Sequence, residues 1–207
     1  MRSESHGTRR RRQIVETAVD LSTAEGLESL SLSRLASAVG LSKPGVAAHF
    51  GSKQALQLAV VDAAADAYAE LLAEAHEASE PGLARLRALG RAWLDHLDGI
   101  DYRGGCFFAA AGHDFSGRPG AVREAVARYT RRFVHTLDEQ AHLADRLGEL
   151  RPGIDAAALA FSLHALALEA NLRRELLDDD EAFPLARRAL DQLLEGATSP
   201  PSKESSR

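Results

Sequence analysis

The stretch SLSRLASAVGLSKPGVAAHFGSK, residues 31–53, constrains this chain more than any other. Leu32, Leu35, Ala36 and Val39 recur at helical spacing and give a first short helix one apolar face. Ser31 suits its N-cap. Gly40 falls where the turn after that helix wants a residue without a Cβ. Ser42 suits the cap of a second helix, and Pro44 is tolerated in a first turn whose amides lack intrahelical acceptors. Small Ala36 lets the two helices cross closely, and Val46 locks the second against the first. This Ala-x3-Gly-x5-Val spacing is a helix-turn-helix signature. Taken alone, it fits a short helical hairpin in an ordinary bundle equally well.

The next residues tip the balance. His49-Phe50-Gly51-Ser52-Lys53 runs directly into Gln54-Ala55-Leu56. With the capped helices before it, this run resembles the DNA-binding domain of the TetR family of transcriptional regulators. The resemblance spans roughly residues 10–64 and is specific over 30–56. One position departs from the family pattern: Ala47 stands where an aromatic, most often Tyr, is usual. That aromatic typically meets the DNA backbone, so one phosphate contact is in question here, while Phe50 keeps the fold.

The resemblance implies an all-α protein. An N-terminal three-helix DNA-binding domain with the helix-turn-helix is expected over 9–52, and a helical regulatory and dimerisation domain over 53–196. Residues 1–8 and 197–207 read as disordered tails. The second helix of the motif should enter a major groove with its N-terminal half. Arg34, Ser42, Lys43, Pro44, Gly45, Val46, Ala48, His49 and Lys53 are the candidate DNA-binding positions. Lys43 suits a guanine edge or a phosphate. Gly45 and Ala48 are small enough for a deep approach, and Ala48 suits a thymine methyl. Lys53, with the amides that open the next helix, suits a phosphate.

Composition agrees with a helical protein. Hydrophobic residues make up 45% of the 207, but aromatics only 5%, and Ala and Leu dominate. No alternating run suggests a strand. The single cysteine excludes an intramolecular disulfide and suits a reducing cytoplasm. No apolar run approaches the roughly 20 residues needed to cross a bilayer. The polar start MRSESHGTRRRR shows no signal peptide, so a cytoplasmic location is expected. Net charge is −5, yet residues 1–60 hold eight Lys and Arg against five Asp and Glu. A basic front on an acidic body suits a small DNA-reading head on a larger domain.

The helices read in order. Thr8 suits the cap of the first, Arg9 to Arg12 open it against the helix dipole, and Gly26 ends it. Such an arginine run can lie along phosphates or in a minor groove. A fourth helix begins after Ser52 and runs to about Ala78, and a fifth carries Leu83, Leu86, Leu89, Trp93 and Leu97. A short sixth starts at Cys106, and a long seventh heads towards Leu150. The eighth, about 155–177, is apolar around most of its circumference, so it is buried on more than one side. Acidic Asp178 to Glu181 precede a ninth.

Rival chemistry is weak. His135, Glu139 and His142 lie at spacings that suit zinc, but a polar outer helix face explains them better. No metal site and no cofactor are expected. Hydrolase and nucleotide motifs are absent, no catalytic residue is assigned, and no enzyme is expected. A helical enzyme or metal-binding bundle with an incidental helix-turn-helix is the alternative. The favoured reading is a ligand-released repressor that binds a palindromic operator in double-stranded DNA as a homodimer. Its effector is an unknown small molecule, and no membrane partner is expected. Pocket candidates are Trp93, His96, Tyr102, Cys106, Phe107, His113, Phe133 and His164. Interface candidates are Phe161, Leu168, Leu172, Leu190, Leu193 and Leu194, with the outward face of the eighth helix left open.

Overall fold

The computed structural model describes residues 6–99 and 104–199. Among them lie nine α-helices and no strand: α1 (His6–Glu25), α2 (Leu32–Val39), α3 (Lys43–Phe50), α4 (Lys53–Glu77), α5 (Leu83–Gly99), α6 (Phe107–Phe115), α7 (Ala121–Arg146), α8 (Ala156–Leu177) and α9 (Ala182–Ala197). No described helix is long and apolar enough to cross a membrane. The chain divides into two compact units. One holds residues 1–69 and 100–131, the other 70–99 and 132–207. Of the three boundaries, two fall inside helices, α4 and α7, and the third follows the end of α5. The structural units are therefore cut differently from the sequence division at residue 53.

The first unit is built around α1 to α4. Ile14, Ala18, Leu27, Leu35, Val46, Leu56 and Val60 are sealed from solvent, and Phe50 and Phe115 join them. Ser31 caps α2 by accepting from the Arg34 N–H at 3.1 Å. Gly40 closes α2 in the left-handed conformation, φ 64°, that a Cβ disfavours. Ser42 caps α3 by accepting from the Gly45 N–H at 3.2 Å, and Pro44 sits in the first turn. Helix α6 docks on the end of α1. A Cβ on Gly104 would lie 1.9 Å from the Thr23 carbonyl oxygen, so only glycine permits this approach of backbone to backbone.

The second unit packs α5, α8 and α9 on one another. Leu86, Leu89, Leu94, Leu137, Leu163, Phe183, Leu190 and Leu194 are buried in it. Gly90 lets α9 approach α5, because a Cβ there would meet Leu190 Cδ1 at 2.7 Å. Asp155 caps α8 through the amides of Ala157 and Ala158 at 2.9 and 3.1 Å.

Several boundaries differ from expectation. Helix α1 begins at His6, so Thr8 lies inside its first turn and does not cap it. Residues 6–8 are helical, whereas a tail was expected, and residues 1–5 lie outside the described part. Helix α7 stops at Arg146, where the chain turns through Gly148 at φ 73°. Leu150 then pairs antiparallel with Thr198 in an isolated bridge. Arg151 N–H donates to Ala197 O, and Ser199 N–H to Glu149 O, each at 2.8 Å. Backbone amides out of reach of helix partners find each other here. Residues 197–199 are thus tied down, and 200–207 lie outside the described part.

Candidate nucleic-acid interface

Helix α3 has two distinct sides. Val46 is fully buried and Phe50 nearly so, which fixes the helix on the core of its unit. Ser42, Lys43, Pro44 and Ala48 are exposed, and Gly45, Ala47 and His49 are partly so. Val46 therefore drops from the candidate contacts. Its side chain is wholly within the core, where it locks α3 on α2, and has no surface to offer DNA.

Two candidate cations are already engaged. Arg34 is exposed but donates to Glu25 Oε2 from Nε at 2.9 Å. Lys53 Nζ donates to the backbone oxygen of Glu28 and lies 3.4 Å from Glu28 Oε1. Partial burial raises the Glu28 carboxyl, but hydrogen bonds from Gln57 and Lys53 and the charges of Lys53 and Arg118 outweigh it. The group is held below the usual carboxylate range. Exposed ion pairs of this kind are worth about 0–1 kcal/mol, so phosphates can compete for both cations.

The arginines that open α1 extend the basic side. Arg10 Nη2 donates to Val39 O at 3.4 Å, at the end of α2. Arg11 lies over the Phe50 ring, 5.1 Å from its centroid. Neither contact was foreseen in the sequence, which suggested an arm lying along phosphates or in a minor groove. The only hint was the four consecutive arginines at a helix start that disfavours them.

The pocket candidates separate into groups. In the second unit, Trp93 stacks on His164 with ring centroids 5.2 Å apart and planes 28° apart. Phe133 meets Trp93 edge-on at 4.4 Å. His96 shares α5 with Trp93, and burial lowers the pKa of both His96 and His164. In the first unit, Cys106 and Phe107 are buried, and Tyr68 Oη lies 3.2 Å from Cys106 Sγ. Burial pushes the Cys106 thiol up despite that hydrogen bond, as befits an inert thiol. His113 is exposed. Tyr102 lies outside the described residues.

Helix α8 resolves its own ambiguity. Leu159, Leu163, Ala167 and Ala170 face inward and are buried. Phe161 is 74% exposed, Leu172 52% and Leu176 69%, and Leu168 between them is partly exposed. Leu185 on α9 is exposed as well, and Leu193 partly so. Leu190 and Leu194 are buried within the single chain, so both leave the set of interface candidates. On α7, His135 Nε2 pairs with Glu139 Oε1 at 3.2 Å, and His142 Nδ1 lies 2.9 Å from the Asp138 carbonyl oxygen. No group of three metal-ligating side chains gathers among the described residues.

A capped helix-turn-helix with an exposed, basic recognition side defines a DNA-binding protein. Comparison with known proteins identifies which kind. Residues 14–60 match the family described as bacterial regulatory proteins, tetR family, and residues 82–190 match the tetracyclin repressor-like C-terminal domain. The chain belongs to the TetR family and is a DNA-binding transcriptional regulator. No curated protein matches it in sequence. Among solved structures, a TetR regulator from Chloroflexus aurantiacus is 23% identical, with a TM-score of 0.82 over 93% of this chain and 97% of that one. A TetR-family regulator from Cytophaga hutchinsonii is 20% identical, with a TM-score of 0.78 over 96% and 100%. AibR, solved with isovaleryl coenzyme A and operator DNA, is 22% identical, with a TM-score of 0.73 over 91% and 99%. At these identities the likeness is one of fold.

Proposed function

We propose that this regulator is a cytoplasmic, homodimeric repressor of a palindromic operator, released by a small-molecule effector. The observation that carries the DNA side is the division of α3 into a buried anchor and an exposed N-terminal half. Lys43 reads a base edge or holds a phosphate, and Pro44, Gly45 and Ala48 allow close approach. Ser42 and His49 flank that surface. Arg34 and Lys53 exchange Glu25 and Glu28 for phosphates. The head that reads DNA comprises residues 9–52, and 53–196 carry regulation and assembly.

The exposed stripe of Phe161, Leu168 and Leu172 on α8, continued by Leu193 on α9, supports pairing with a second copy. A two-fold pair would set its recognition helices about 34–36 Å apart, one turn of DNA. The effector side is supported by the AibR complex, which holds both an acyl-coenzyme A and operator DNA. For release, the effector must bind the DNA-incompetent state more tightly than the competent one. A gel shift with duplex from the protein's own upstream region tests the reading. Salt-sensitive, sequence-preferring binding supports it. Binding of equal strength to any duplex, or none, rejects it.

A further inference from the structure

The aromatic group in the second unit indicates what kind of molecule could bind there. Trp93 is 3% exposed, and its Nε1 has no hydrogen-bond partner among the described residues. A buried donor left unmatched is costly, and a ligand's acceptor would recover that cost. Phe133 and His164 meet the indole on two sides, and their rings lie 5.9 Å apart. Both are only partly buried, so each of these two rings keeps some exposed surface.

The charge around it is just as informative. The described part of this unit has no lysine. On α5, Arg87 and Arg91 are paired with Asp191, and Arg85 is bonded to the Ser79 carbonyl. On α8, Arg173 pairs with Glu169 and Asp179, and Arg174 with Asp98 and Asp180. On α9, Arg187 pairs with Asp95 and Asp98. On α7, Arg132 and Arg146 are exposed. Burial lowers the pKa of both His96 and His164, which disfavours their charged forms. Arg174 Nε is likewise buried without a hydrogen-bond partner, but the Nη atoms of Arg174 are paired and it stands ten residues beyond His164 on α8, about 15 Å along the helix. Among the described residues of this unit, no unpaired buried cation lies at the rings to match a carboxylate or phosphate.

We infer that the effector is an uncharged molecule with a flat, apolar body and one hydrogen-bond acceptor, which takes the indole N–H of Trp93 and lies against Phe133 and His164. This rests on the ligand-released reading above. Aromatic ketones, esters and lactones have the required chemistry. Fatty acids and other free carboxylates do not.

Trp93 is the only tryptophan, so the 15N-labelled full-length protein gives a single indole N–H resonance. Three probes of similar shape separate the terms: acetophenone, ethylbenzene and benzoate. Acetophenone should move the indole proton downfield in a saturable way and bind about fivefold more tightly than ethylbenzene, the worth of one hydrogen bond. Benzoate should bind more weakly than either. Equal affinity of acetophenone and ethylbenzene would overturn the role of Trp93. Tightest binding by benzoate would overturn the uncharged class, and an indole resonance that no probe saturably shifts would overturn the site. Trp93→Phe, with its helix content checked by circular dichroism, should lose the preference for acetophenone in thermal shift. If it does not fold, the wild-type titration decides alone. A gel shift on the same preparation separates failure of this inference, with operator binding intact, from failure of the regulator reading.

Discussion

The carboxylate of Asp114, in the last turn of α6, accepts the backbone N–H of Glu28 at 3.2 Å. It does so over Gly26, where a Cβ would lie 2.8 Å from Asp114 Oδ2. Gly26 ends α1 at φ 85°, a conformation that L side chains rarely adopt. The loop between α1 and α2 is thus fastened to α6 by one acceptor and one missing methyl. Lys53 and Gln57 fasten it from α4, the latter by donating to Leu27 O at 2.8 Å.

Asp114→Ala should destabilise the first unit by about 1–2 kcal/mol, since a partly buried amide loses its partner. Asp114→Asn keeps an acceptor and should lose less. Gly26→Ala should cost about 1–2 kcal/mol from its backbone conformation and more from the clash. The clash disappears in the Asp114→Ala background, so the two losses should be less than additive. Urea melts of the four proteins check this, and strict additivity would contradict the arrangement.

Val46 and Lys43 are neighbours with opposite duties. Val46→Ala should cost about 2 kcal/mol of stability through a buried cavity. At low temperature, where the protein stays folded, its DNA affinity should change little. Lys43→Ala should leave the melting temperature unchanged and weaken specific binding by about 1–3 kcal/mol. Melts and gel shifts on both variants separate the two roles. A DNA defect in Val46→Ala without a loss of stability would return Val46 to the interface.

The motif was legible because its signals are local. A serine cap, a left-handed glycine and a valine at the crossing each act within a few residues. Long-range partners were not legible. Nothing near Asp114 announces a bond to Glu28, and nothing near Lys53 shows its side chain turned onto the loop. Helix α8 hid its outward face because apolar residues surround it, and periodicity cannot rank two apolar sides. Leu190 and Leu194 were misplaced for a related reason. The stripe on α9 shows that one face is buried, but not whether its partner is α5 of the same chain or another copy.

Acidification should act through the partly buried imidazoles of α5 and α8. An unperturbed histidine titrates near 6.5, and burial lowers both His96 and His164. As pH falls, the unfolded chain takes up these protons first. Their stabilisation is therefore complete above about pH 6.5 and is lost as pH falls through the folded values. The melting temperature should drop between about pH 7.5 and pH 5, and less steeply in His164→Gln. Equal slopes in the two proteins would show that His164 is not held neutral by its surroundings.

The basic start of α1 should matter through counterion release. Deleting residues 1–12 removes Arg2 and Arg9 to Arg12 and should reduce operator affinity more at low salt than at high salt. Fluorescence anisotropy with labelled duplex at several salt concentrations measures the slope. An unchanged slope would leave Arg10 and Arg11 with only their contacts to Val39 and Phe50.

In the proposed assembly, two copies joined through α8 and α9 read one operator. Phe161→Glu tests it most directly, because 74% exposure lets the fold tolerate a charge there. Sedimentation and operator binding are measured on the same samples of wild type and variant. Wild type should be a dimer at micromolar concentration and bind the palindromic site tightly. The variant should be a monomer with intact helix content that has lost nearly all operator affinity, since one head makes half the contacts. A wild-type monomer that binds the palindrome tightly, or a monomeric Phe161→Glu that binds it as wild type does, would contradict this assembly.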